Sequence, residues 1–184
     1  MQKTYKMQIC GLERELPLCP LNAELSIAAF VIFGDVELTI AAAKELLERV
    51  PEFDYIVTPE AKSIPLAYEL SRQSGKKYLV ARKAAKLYMQ APVSVHVRSI
   101  TTAGLQTLML DNTEGELLRG KRVLIIDDVI STGESLAAAE ALCEKFSADV
   151  VAKAAILAEG DAINREDITV LGELPIFNNS ALEA

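Results

Sequence analysis

Residues Val123–Ser135 read V-L-I-I-D-D-V-I-S-T-G-E-S, and no other stretch limits the fold so tightly. Arg122–Asp128 is a short apolar run ending in two carboxylates, and a strand of that kind belongs inside a parallel sheet covered by helices. A small, hydroxyl-rich loop follows, then a helix expected over 134–147, with Leu136, Ala139, Leu142 or Cys143, and Phe146 on one face. Upstream, Gly34-Asp35 marks a stop and an N-cap, and Val36, Ile40, Ala43, Leu47 and Val50 form a helical stripe ended by Pro51. Asp54–Thr58 is a short β-rich run, and a loop, Pro59–Lys62, leads to Ser63 as the expected cap of a helix ending near Gly75. Lys76–Arg82 and Val150–Leu157 read as further strands. This β-α-β-α order predicts an α/β fold with a largely parallel, twisted sheet flanked by helices.

Two hairpins are expected outside that alternation. One joins 5–10 to 12–18 through Gly11. In the other, 93–101 alternates Val93, Val95 and Val97 with Ser94, His96 and Arg98, pairs with 105–110, and is followed by a turn at Asn112–Gly115. Glu24–Phe33 fits helix or strand equally. The 184 residues suit one domain, and 51% hydrophobic with 24% charged residues is a globular mixture. The net charge of −7 argues against a general nucleic-acid or anionic-membrane binder, so an anionic ligand needs a local basic cluster. Three scattered cysteines and an N-terminus without a signal pattern point to a reducing, cytoplasmic setting. The single histidine, His96, falls on the polar side of its strand, which leaves no histidine-based triad. Gly115–Lys121 imitates a nucleotide-binding loop, but Arg122 replaces its Ser/Thr and a strand follows where a helix is needed.

In open α/β sheets, ligands gather at the carboxyl ends of the strands. There, Val129–Ser135 offers consecutive backbone N–H groups, the hydroxyls of Ser131, Thr132 and Ser135, and a helix N-terminus, which together make a phosphate cradle. Asp127 and Asp128 repel a phosphate, so as acceptor-only groups they suit sugar hydroxyls or a divalent cation. A phosphorylated sugar follows. The plainer alternative is that Asp128 and Ser131 only cap a helix.

Val123–Ser135 resembles the signature of type I phosphoribosyltransferases, which bind 5-phosphoribosyl 1-pyrophosphate. The resemblance implies Asp127 and Asp128 for the ribose, and for Mg²⁺ directly or through water or substrate. It implies Ser131, Thr132, Gly133, Glu134 and Ser135 for the 5-phosphate. The segment T-P-E-A-K-S-I-P-L-A, residues 58–67, resembles the pyrophosphate loop of the adenine branch and of archaeal purine enzymes. That implies Glu60, Ala61 and Lys62 at the diphosphate, often beside a non-proline cis peptide. Arg82, Lys83 and Lys86, with Tyr88 nearby, resemble the stretch opening the family's mobile catalytic loop; with Asp127 and Asp128 they form the implied catalytic set. Placed cations would stabilise charge developing on the leaving diphosphate.

The match spans roughly Asp35 to Glu159. It implies a core of 34–160, a hood built from 1–33 and 161–184, a mobile β-hairpin loop at about 84–104, and a homodimer. The implied activity is transfer of phosphoribosyl to a purine, with adenine favoured over hypoxanthine, guanine or xanthine and Glu159 at the base pocket. The chain departs from the pattern in three places. Ser99–Gly104 lacks the glutamate that serves adenine enzymes as a candidate proton donor. Glu134 replaces a usual glycine, so its N–H is expected to donate while its carboxylate turns away from the phosphate. Leu16–Phe33 does not align with the base-contact region. Two other readings compete: a non-catalytic sensor of the same sugar phosphate, and a phosphosugar-binding module with different chemistry.

Overall fold

In the computed structural model, which describes residues 3–98 and 105–182, the chain opens with the hairpin β1 (Thr4–Ile9) and β2 (Leu12–Pro20). It turns at Cys10 and Gly11, both at positive φ (53° and 75°), the geometry that matches strand twist in a two-residue turn. Within the ambiguous 24–33 stretch only β3 (Leu25–Ala28) is regular, pairing antiparallel with β2. Arg14 of β2 pairs with Asp35 and Glu37, tying the hairpin to the start of helix α1 (Val36–Arg49). Asp35 caps α1, accepting from the Leu38 N–H at 3.1 Å.

Strand β4 (Tyr55–Pro59), helix α2 (Ile64–Ser74) and strand β5 (Lys77–Ala81) form the first parallel unit. The hairpin β6 (Pro92–Arg98) and β7 (Leu105–Asp111) follows, attached through an antiparallel bridge between Arg82 and Met109. A helical turn, α3 (Asn112–Gly115), stands where a simple turn was expected. Next come β8 (Arg122–Ile130), α4 (Glu134–Lys145) and β9 (Asp149–Glu159). The chain closes with β10 (Thr169–Leu174), β11 (Ile176–Asn178) and the turn α5 (Asn179–Leu182).

The main sheet has the order β10-β9-β8-β4-β5 with every neighbour parallel, and a second sheet has the order β1-β2-β3-β11. The 161–184 stretch is therefore divided. Thr169–Leu174 extends the main sheet, and only Ile176–Asn178 joins the hairpin sheet expected to form the hood. Strand β10 had a free edge on β9 available, which the local sequence did not disclose.

The Val123–Ile126 segment of β8 is unbroken apolar sequence because both its faces are covered. Leu124 and Ile126 join the cluster under α1 and α2, while Val123 and Ile125 join that under α4. Phe146 closes the second cluster against Gly115, where an added Cβ would lie 2.0 Å from its ring.

Candidate active site

A parallel sheet sends every strand's carboxyl end to the same edge, and there the chemistry converges. In register, Pro59 lies beside Ala81, and Ile130 beside Ala158. The loops after β4, β5, β8 and β9 are thus neighbours, although their residues span Glu60 to Glu159.

The first loop is shaped by Ser63. Its hydroxyl does not cap α2; it is buried, accepts from the Thr58 hydroxyl at 2.8 Å and donates back to the Pro59 carbonyl at 3.1 Å. Capping was the expectation from local sequence, but the tight loop offers the hydroxyl nearer partners. The Glu60–Ala61 peptide is cis. The Glu60 carboxylate accepts from the Lys83 N–H at 3.1 Å and from Arg82 at 3.3 Å, with the Lys86 ammonium 3.6 Å away. The Lys83 bond first, then the nearby cations, hold Glu60 below its usual range. Glu60, which the resemblance implies at the diphosphate, here gathers Arg82, the Lys83 backbone and Lys86 into one cluster through its carboxylate.

Lys62 reaches across to β8, where its ammonium lies 2.9 Å from Asp128 Oδ2. Asp128 is 4% exposed, and this oxygen accepts no aligned hydrogen bond, so the contact is an ion pair of opposed charges alone. Asp127 Oδ1 accepts the Asp128 N–H at 2.9 Å. Burial, followed by the charge of Asp128, pushes the Asp127 carboxyl up to about 7. The two acids differ in partner as well as position.

Beyond them, Ser131–Ser135 curls into a small polar hollow of about 40 Å³ lined by Asp127, Val129 and the loop itself. The N-cap of α4 is Gly133 at φ 77°, with no side chain capping the helix, so the plain capping role for Asp128 and Ser131 is not what the loop does. Glu134 lines this hollow and also the larger cavity beside it. That cavity, about 610 Å³, is lined by Leu21, by Ile27 and Ile176 of the hairpin sheet, and by Ser131, Thr132, Glu159 and Arg165. Burial raises the Glu159 carboxyl, opposed by the charge of Lys62. Arg165 carried no sequence signal, since it follows the 3-10 turn Gly160–Asn164 after β9, outside every motif. The expected proton-donor segment 99–104, within the predicted mobile loop, lies outside the described residues. His96 is exposed and bonds Thr107 at 2.9 Å, away from these groups.

An anion nest, paired acids and a cation cluster at one sheet edge define a class of α/β protein that binds a phosphorylated sugar. Sequence comparison then supplies the family. The profile described as "Phosphoribosyl transferase domain" matches residues 36–175, and the chain belongs to that family. It is 31% identical over 147 residues to a hypoxanthine/guanine phosphoribosyltransferase of Methanococcus voltae, covering 76% of this chain and 75% of that one. It is 34% identical to an adenine phosphoribosyltransferase of Bifidobacterium animalis, covering 77% and 73%. The crystal structure of adenine phosphoribosyltransferase from Rhodothermus marinus shares the fold, with a TM-score of 0.63 at 23% identity over 76% of this chain and 79% of that chain. The Saccharomyces cerevisiae enzyme, solved with an imino-altritol bisphosphate and adenine, covers 92% and 93% at a TM-score of 0.61. The architecture is the type I phosphoribosyltransferase fold. No helix among the described residues is long and apolar enough to cross a membrane.

Proposed function

We propose that this chain is a purine phosphoribosyltransferase that joins 5-phosphoribosyl 1-pyrophosphate to a purine, releasing diphosphate and a nucleoside monophosphate. The observation that supports the reading is the Lys62–Asp128 pair, which joins the loop after β4, read here as the diphosphate loop, to the acids of β8, read here as the sugar acids. In this reading the loop 131–135 holds the 5-phosphate, Asp127 and Asp128 accept from the ribose hydroxyls, and Ala61 and Lys62 hold the diphosphate. Arg82, Lys83 and Lys86 counter its charge. The anomeric C–O bond breaks with its electron pair going to diphosphate. A purine ring nitrogen donates the pair that forms the C–N bond, and one ring N–H proton is released. Because the sugar passes through a cationic state, position and charge supply most of the acceleration.

Mg²⁺ fits as part of the substrate. No cluster of three His, Cys, Asp or Glu side chains suited to a cation occurs among the described residues. Asp127 and Asp128 can supply two oxygens, directly or through water, and Asp128 Oδ2 is buried without an aligned donor. Bound there, the ion would neutralise diphosphate charge.

The purine's faces suit the apolar lining residues Leu21, Ile27 and Ile176, and its polar edge suits Glu159 of the same cavity. Adenine is favoured, in line with the adenine enzymes among its relatives and structural neighbours; the Methanococcus relative supports hypoxanthine or guanine as the second reading. A cytoplasmic homodimer completes the proposal, checked by light scattering of the purified protein. The deciding assay is diphosphate release with phosphoribosyl pyrophosphate, Mg²⁺ and each of adenine, hypoxanthine, guanine, xanthine and orotate. Turnover with one purine supports the reading and names the base. Tight sugar-phosphate binding without turnover replaces it with a sensor.

A further inference from the structure

The loop proposed to hold the 5-phosphate, Val129–Leu136, contains no lysine or arginine and one glutamate. A phosphate dianion there would meet N–H groups and hydroxyls but no full positive charge. The structure places one beside it. Arg165 comes from the turn after β9, and its Nη1 approaches Gly133 so closely that a Cβ at that position would stand 2.6 Å away. Arg165 lines the larger cavity together with Ser131, Thr132 and Glu134, and these three also line the hollow, so the guanidinium stands next to the hollow on its cavity side.

Its orientation is set by other groups. Nε and Nη2 donate to the two oxygens of Asp167 at 2.8 and 2.7 Å. Asp167 also accepts from Lys153 at 2.6 Å, and Lys153 donates to Glu140 of α4 at 2.8 Å. The arginine is thereby braced to the helix that follows the loop, with Nη1 turned toward Gly133. Such pre-positioning limits the ordering cost of a charge-assisted bond to phosphate.

Resting on the function proposed above, we infer that Arg165 is a phosphate-binding residue of this site, supplying the positive charge for the 5-phosphate end of the sugar that the loop itself lacks. It does not touch the diphosphate end, which has Lys62, Arg82 and Lys86.

The test is calorimetric binding of ribose 5-phosphate and of inorganic diphosphate to the intact chain and to Arg165→Gln, Arg165→Lys and Asp167→Asn. Arg165→Gln leaves the Asp167–Lys153–Glu140 chain intact, and circular dichroism checks its fold. Loss of one charge-assisted bond predicts a roughly ten- to hundredfold weaker ribose 5-phosphate complex and unchanged diphosphate binding. Arg165→Lys keeps the charge and should recover part of the loss, which keeps the test open if the glutamine variant unfolds. Asp167→Asn should fall between. Unchanged ribose 5-phosphate affinity in Arg165→Gln overturns the inference. Equal weakening of both ligands also overturns it, since that marks a merely structural brace. If the unaltered protein binds neither ligand, the proposed function fails first and takes this inference with it.

Discussion

Asp127 gives the site's electrostatics a quantitative test. Burial and the adjacent Asp128 push its carboxyl from 3.8 to about 7. A folded-state value above the unfolded one means that the native protein holds this proton more tightly. The group therefore costs nothing below about pH 4, weakens the fold progressively as pH rises, and exerts its full penalty above about 7. The full shift corresponds to roughly 4 kcal/mol, and water reaching the partly exposed side chain reduces this to about 2 kcal/mol. Asp127→Asn removes the charge, while its amide oxygen can still accept the Asp128 N–H now held at 2.9 Å. The variant should thus be about 2 kcal/mol more stable than the parent at pH 8 and equal to it near pH 4. Urea unfolding followed by far-ultraviolet circular dichroism at pH 4, 6 and 8 reads the difference. A gap of the same size at all three values would refute the reasoning, because it would mean that the effect is packing rather than charge. Turnover should fall in the same variant, since stability and function pull this carboxylate in opposite directions.

Other perturbations probe the surrounding framework. Lys62→Met strips the ion-pair partner from the buried Asp128 oxygen, and should lower stability by about 1–2 kcal/mol in denaturant titration at pH 7. Gly115→Ala drives a methyl into the Phe146 ring and should cost about 1–3 kcal/mol, visible as a lower melting temperature, with ligand binding retained by the folded fraction. Gly133→Ala places a side chain at φ 77° and displaces Arg165, for about 1–2 kcal/mol of strain and weaker ribose 5-phosphate binding.

Much of the site was legible because its motifs are local. The run Val123–Ser135 carries strand, acids, cradle and helix start within thirteen consecutive positions, and periodicity locates helices α1 and α4. What local sequence leaves open is which partners a side chain finds. Ser63 stands in the capping position, yet its hydroxyl turns back to Pro59. Glu60 lies inside a recognised motif, but its contacts with Arg82 and the Lys83 backbone come from just beyond the next strand. Neither choice can be read from neighbours in the chain, since each depends on distances of about 3 Å set by the fold.

By itself, the sequence determined the α/β class, the parallel core and the identity of the groups at its edge, because strand and helix periodicity and loop chemistry are properties of short segments. Only the tertiary structure decided which groups meet. Strand register set Lys62 against Asp128, and Glu60 against Arg82, twenty-two residues away. The braced turn after β9 brought Arg165 over Gly133, thirty-two positions earlier, and β10 left the expected hood for the free edge of β9. Long-range pairing follows from the burial of whole strands and helices against one another, and no local pattern encodes it.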